Sequence, residues 1–124
     1  MKHTWHNNRI SQKLEEEFPR DFSICDIDGT VRYEYKEGNK LKCRLIIYES
    51  KNQFEKNSES QIKTLKKINN SINWSNFDKT SGIYIIKIID INNCLEWYDL
   101  DNKLIDTTTF KELYGIFTNK LKKA

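Results

Sequence analysis

The chain has 124 residues, with 21 Lys and Arg against 18 Asp and Glu, for a formal charge of +3. At roughly 100–200 residues per domain this predicts a single domain, spanning residues 1–124 and too short for a βα barrel or a paired dinucleotide-binding domain. A hydrophobic share of 37%, a charged share of 31% and an aromatic share of 12% exclude both a membrane protein and a disordered chain; the small positive charge suits nucleic acid without demanding it.

The segment Met1–Arg9 is polar, so neither a signal peptide nor a transmembrane segment is expected there, and the chain reads as cytoplasmic. Ile10, Leu14 and Phe18 recur at helical spacing beside Glu15, Glu16 and Glu17, which predicts an amphipathic helix over Asn8–Phe18, stopped by Pro19. In Thr30–Glu37, Val31, Tyr33 and Tyr35 alternate with polar residues, and Leu41–Tyr48 is rich in branched and aromatic side chains. Both read as strands, joined by the two-residue turn Gly38-Asn39. Lys51–Asn57 is polar and reads as a loop. A helix is expected from Ser58, with Ile62, Leu65, Ile68 and Ile72 on its apolar side. After a loop around Trp74 and Phe77, Gly82–Asp90 is an apolar run typical of a buried strand. Cys94–Leu100 reads as a further strand, Asp101-Asn102 as a turn, and Thr107–Ala124 as a final helix. The expected fold class is α/β, a small mixed β-sheet flanked by helices. Cys25, Cys43 and Cys94 are odd in number and form no CxxC pair, so neither a disulfide framework nor a zinc ribbon is expected.

The turn sets a register. If Glu37 pairs with Lys40, each step back along the first strand is a step forward along the second, and Asp28 faces Glu49 while Asp26 faces Lys51. Opposed residues share a sheet face with Cβ atoms about 4.5–5.5 Å apart, and like charges so placed repel. A divalent cation would relieve that repulsion, since hard cations prefer carboxylate oxygen. Lys51, on the face of Glu49, would then stabilise a metal-bound hydroxide or transition-state charge, a combination suited to phosphodiester hydrolysis. The same residues also fit a strand end with ordinary surface charges and one Asp–Lys pair.

An N-terminal helix, a strand opening with Asp in Cys25-Asp26-Ile27-Asp28-Gly29, and an apolar strand ending Glu-x-Lys in Leu45-Ile46-Ile47-Tyr48-Glu49-Ser50-Lys51 resemble the PD-(D/E)XK nuclease superfamily over about residues 8–90. The resemblance implies a restriction-endonuclease-like αβββαβ core, counting a further strand around Phe22–Cys25. It implies that Asp28, Glu49 and the backbone carbonyl of Ser50 bind magnesium, with manganese as a substitute, and that Lys51 acts in catalysis. No Pro precedes the Asp, and two Asp compete for the metal-binding role; Asp28 is preferred because it faces Glu49 and precedes Gly29, and Asp26 is held in reserve for it. Gln61 lies on the apolar side of its helix, where related nucleases place a Gln aimed at the active site; Ser58-x-x-Gln61 is equally a capping box. The substrate implied is DNA in preference to RNA, cut through a metal-activated water, with a homodimer as a way to cut two strands. The Glu15–Glu17 run is a candidate extra ligand source or a solvated face. Trp5, Trp74 and Trp97 are candidates for base stacking or for packing, and Lys56, Lys63, Lys66 and Lys67 for phosphate contact.

Asp26-Ile27-Asp28-Gly29-Thr30-Val31 is also similar to the DxDGT[LV] motif of haloacid dehalogenase-like phosphatases. That resemblance implies Asp26 as nucleophile and Asp28 as general acid/base, but the fold needs several later βα units, for which the remaining chain is short. The non-enzyme alternative is an inactive nucleic-acid-binding or regulatory module.

Overall fold

The computed structural model describes residues 13, 14, 16, 17 and 27–118. Lys13, Leu14, Glu16 and Glu17 are helical, in keeping with the expected first helix. The rest of that helix, the strand expected around Phe22–Cys25, Asp26, Cys25 and Trp5 lie outside the described residues.

Five strands form one sheet in the order β1-β2-β3-β4-β5. They are β1 (Gly29–Glu37), β2 (Lys40–Asn52), β3 (Gly82–Asp90), β4 (Cys94–Tyr98) and β5 (Leu104–Thr108). Along β1, Val31, Tyr33 and Tyr35 are half-buried while Thr30, Arg32 and Glu34 are exposed, the alternation of a strand covered on one face. Gly38 supplies the positive φ, 64°, at the first turn position, where a type II′ hairpin turn requires glycine. β1 and β2 then pair antiparallel from Glu37↔Lys40 to Gly29↔Tyr48, the expected register.

β2 is longer than its apolar run suggests. Lys51 and Asn52, expected in a loop, are strand because β2 also pairs parallel with β3, from Ile46↔Gly82 to Asn52↔Ile88. The parallel connection runs through helix α1 (Glu59–Ser71) and a 3₁₀ turn, Trp74–Asn76, as parallel neighbours demand a crossover. Ser58 caps α1, its side-chain oxygen accepting the Gln61 N–H. Strands β3, β4 and β5 follow as an antiparallel meander.

The end of the chain departs from expectation. Leu104–Thr108, partly assigned from sequence to the last helix, is strand β5. Asn102, at φ 65°, turns the chain so that Thr108 pairs with Leu95, and Thr108 accepts the Trp97 indole N–H at 3.0 Å. Helix α2 (Phe110–Thr118) starts only after Thr109. Thr109 Oγ1 accepts the Glu112 N–H at 3.2 Å and Glu112 Oε1 accepts the Thr109 N–H at 2.8 Å, a reciprocal capping box.

Each sheet face has its own core. Ile47, Ile83 and Ile85 pack against Leu65 of α1, with Ile62 and Ile68 beside it. Ile46, Ile86, Leu95 and Trp97 pack on the other face beneath Leu113, Ile116 and Phe117 of α2. Residues 27–118 therefore form a mixed sheet with α1 on one face and α2 on the other, a small α/β fold. Truncating a fully buried residue such as Ile46, Ile85 or Leu65 to Ala would cost about 2–5 kcal/mol. Among the described residues no helix is long and apolar enough to cross a membrane.

Candidate functional site

Alternation along β2 puts Leu45, Ile47, Glu49 and Lys51 on the α1 face. Leu45 and Ile47 enter the apolar core there. Glu49 and Lys51 extend the same row and are themselves buried, at 6% and 7% exposure. Their charged ends lie 3.9 Å apart, Lys51 Nζ to Glu49 Oε2. Charged residues are almost never this buried without a partner, so this end of the strand is the polar exception in an apolar row.

Asp28 reaches the pair from the chain just before β1. Its backbone N–H donates to Glu49 Oε1 at 3.3 Å. Its Oδ2 accepts both the backbone N–H and the hydroxyl of Ser50, each at 2.7 Å. Strand pairing ends at Gly29↔Tyr48, and beyond it Asp28 is held to β2 by these side-chain bonds, its carboxylate on Ser50. Gly29 makes the approach possible: a Cβ there would lie 2.6–2.9 Å from the phenol end of Tyr48, below any tolerable contact, so only glycine lets the Tyr48 ring lie across the start of β1.

Gln61 arrives from the first turn of α1, and its side chain favours the charged form of the Glu49 carboxyl. Of the capping box the sequence suggested, one half forms: the Gln61 backbone N–H meets Ser58 Oγ at 3.3 Å, while the Gln61 side-chain oxygen does not return to the cap. Gln61 Oε1 is buried with no hydrogen-bond partner among the described residues. The Glu49 carboxyl is pushed above its ordinary pKa, first by burial and then by the Asp28 charge; the Gln61 side chain, the Lys51 ammonium and the Asp28 N–H offset this only in part. The site thus holds more acceptor oxygen and negative charge than its own donors satisfy.

Asp28, Glu49, Ser50, Lys51 and Gln61 are therefore brought together, and Asp26 lies outside the described residues. Ser50 enters through its amide and hydroxyl, which hold Asp28. Among the described residues no group of three or more His, Cys, Asp or Glu side chains is arranged to hold a metal ion; the carboxylates here are the pair Asp28 and Glu49. Lys87 escaped the sequence reading. It pairs with Lys51 across the parallel β2–β3 junction, sits 5.3 Å from the Tyr98 ring centroid, and lines a groove of about 810 Å³ with Lys56, Lys63 and Lys66. Only the parallel pairing, invisible in either strand alone, reveals it. Of the tryptophans, Trp97 is buried in the core and Trp74 is bonded to Asn69, so both are packing residues. Glu17 forms an exposed bridge with Lys13 at 2.6 Å. Cys43 and Cys94 are free thiols.

Comparison of this chain with protein-family models, with characterised proteins and with solved structures finds no match.

Proposed function

We propose that the chain is a small magnesium-dependent nuclease with a restriction-endonuclease-like core, hydrolysing phosphodiester bonds in DNA in preference to RNA. The observation that carries this reading is the buried Glu49–Lys51 pair at the end of β2, with the Asp28 backbone N–H donating to Glu49.

A divalent cation fits these residues. The donor set is hard oxygen, as magnesium prefers. The raised Glu49 carboxyl and the orphaned Gln61 Oε1 are what acceptor groups look like in want of a positive partner. Asp28 and Glu49 would hold the ion, with the Ser50 carbonyl as the further ligand the resemblance implies and Asp26 as the alternative to Asp28. The bound ion would supply Lewis-acid activation of water and neutralisation of phosphate charge.

The remaining work falls to this chain's side chains. Lys51 carries a positive charge within a buried site, where electrostatic stabilisation of a developing phosphate charge is strongest. Gln61 favours the charged form of Glu49, and Ser50 holds Asp28 in one orientation. Lys56, Lys63 and Lys87 offer cations to a phosphate backbone in the neighbouring groove, which Glu55, Glu59 and Asp101 also line and where Lys66 is paired with Asp101 at 2.9 Å. One site cuts one strand, so a homodimer is the simplest way to break a duplex. In the cell such an enzyme would work in the cytoplasm.

The test is cleavage of plasmid DNA, labelled oligodeoxynucleotides and RNA in magnesium, in manganese and in chelator. Metal-dependent cutting is expected, falling by on the order of 100-fold or more in Glu49→Gln and Lys51→Ala, with the circular dichroism of both variants unchanged. Wild-type rates in either folded variant, or no cutting of any substrate, would refute the assignment.

A further inference from the structure

The sheet ends on β1 at one side and on β5 at the other. An edge strand presents unpaired N–H and C=O groups, and folds blunt such edges with short strands, bulges or proline. β5 is blunted in this way: it has five residues, and its register with β4 shifts between Trp97 and Tyr98. β1 is not. It has nine residues and no proline, and it pairs with β2 from Gly29↔Tyr48 to Glu37↔Lys40 without a shift. Among the described residues only β2 pairs with it.

The turn decides which backbone groups face the open edge. Glu37 and Lys40 close a two-residue hairpin turn as a hydrogen-bonded pair, and such pairs alternate along an antiparallel ladder. Glu37, Tyr35, Tyr33 and Val31 therefore direct their N–H and C=O groups to β2. Those of Thr30, Arg32, Glu34 and Lys36 face outward. The side chains of these same residues are exposed, and Arg32 and Glu34 stand next to each other in that row with opposite charge.

Two copies of β1 laid antiparallel about a two-fold axis pair residues symmetrically about one central position, the self-complementary arrangement of an isologous interface. An axis at Arg32 or at Glu34 would set like charges against each other, which is unfavourable. An axis at Tyr33 pairs the whole strand with itself, from Gly29 against Glu37 onward. Arg32 of each copy then meets Glu34 of the other, and the outward backbone groups of Thr30, Arg32, Glu34 and Lys36 all find partners. On the opposite face Val31 meets Tyr35 and Tyr33 meets its own equivalent. These are the aromatic and β-branched pairs that stabilise antiparallel strands, and Tyr33 and Tyr35 are half-buried and stacked at 5.4 Å within each copy.

We propose that the free edge of β1 is a self-association surface, where two copies of this chain join β1 to β1 about a two-fold axis at Tyr33 to make one continuous sheet. The charge pattern of the edge is what selects a second copy over another strand. The interface rests on β1 and not on the nuclease reading. Where that reading holds, the axis is perpendicular to the sheet, so Glu49 and Lys51 of both copies open on the same face.

The experiment is sedimentation equilibrium of the full chain from about 1 μM to about 500 μM, with a Kd on the order of 10 μM expected for so small an interface. Hydrogen exchange of the β1 amides, read by mass spectrometry, should be about fivefold slower at the upper concentration. Glu34→Arg and, separately, Arg32→Glu should each weaken self-association by about tenfold or more in proteins of unchanged circular dichroism. Mixed together, the two variants should associate about as tightly as the wild type, because Arg again opposes Glu at every charged pair. If either variant fails to fold, the wild-type exchange measurement carries the test. The proposal is overturned by a monomer across the whole range, which is also the result for an edge reserved for another protein's strand. It is equally overturned by a dimer whose β1 amides exchange no more slowly, by undiminished self-association of the folded variants, or by variants that do not associate when mixed. No readout here involves cleavage, so failure of the nuclease reading would leave these outcomes unchanged.

Discussion

Replacing Glu49 by Gln should stabilise the protein in chelator and destabilise it, relative to wild type, in magnesium. An amide imitates the protonated acid, and the Glu49 carboxyl is raised above its ordinary pKa by burial and by Asp28. Its charged form is therefore the less stable one in the folded protein. The folded state binds the proton that the unfolded state releases, so stability falls as pH rises from the ordinary glutamate value, about 4.3, through the raised one. The variant escapes that loss. A carboxamide at position 49 also brings an N–H within the reach of Gln61 Oε1, which otherwise has no partner among the described residues. One such hydrogen bond contributes about 0.5–1.5 kcal/mol net, so a gain on the order of 1 kcal/mol is expected at neutral pH, vanishing below pH ~4. Metal reverses the order. A cation at 100 times its Kd stabilises the wild type by about 2.7 kcal/mol, and the variant, with one carboxylate fewer, forfeits most of this. Urea unfolding at pH 4 and pH 7.5, each with chelator and with magnesium, measures all four quantities. A variant less stable than wild type in chelator at pH 7.5, or a wild type that magnesium leaves unmoved, would refute the reasoning.

Three further outcomes follow from named contacts. Asp28→Asn should impair phosphodiester cleavage more than Asp26→Asn, which should leave measurable activity; a phosphomonoesterase activity that disappears in Asp26→Asn would instead favour the phosphatase reading, in which that residue is the nucleophile. Asp78→Ala should destabilise by about 3–5 kcal/mol, because it strips the buried Arg44 of its carboxylate and Tyr35 of its acceptor at 2.9 Å; the urea midpoint reads this, and a change near zero would show that Arg44 is not held by Asp78. Gly29→Ala should destabilise by roughly 1–3 kcal/mol, the usual range for overpacking, since the new methyl meets Tyr48; it should also lower cleavage by shifting Asp28, and Gly29→Ala combined with Tyr48→Leu should recover stability.

Local chemistry sufficed for much of this molecule. The alternation in β1, the Gly38 turn and the apolar run of β2 are short-range facts, and once the turn has two residues every pair in the hairpin follows. That is why Asp28 could be set beside Glu49 without coordinates. Ser58 and the period of Ile62, Leu65 and Ile68 likewise announced α1 and turned Gln61 toward the sheet. Other features depend on contacts between distant segments. Lys51 and Asn52 look like loop residues until β3, more than thirty positions later, pairs with them, and that same pairing puts Lys87 beside Lys51. Strand β5 has four of its five residues exposed, so its own burial pattern says little; it is a strand because β4 offers an edge and Asn102 turns the chain back. Arg44 reads as one more polar residue in an alternating strand, and only the packing of α2 on that face buries it. A hairpin register propagates from a single turn, whereas a parallel neighbour, an edge pairing or a helix laid across a sheet is decided by the burial of surfaces far apart in the chain.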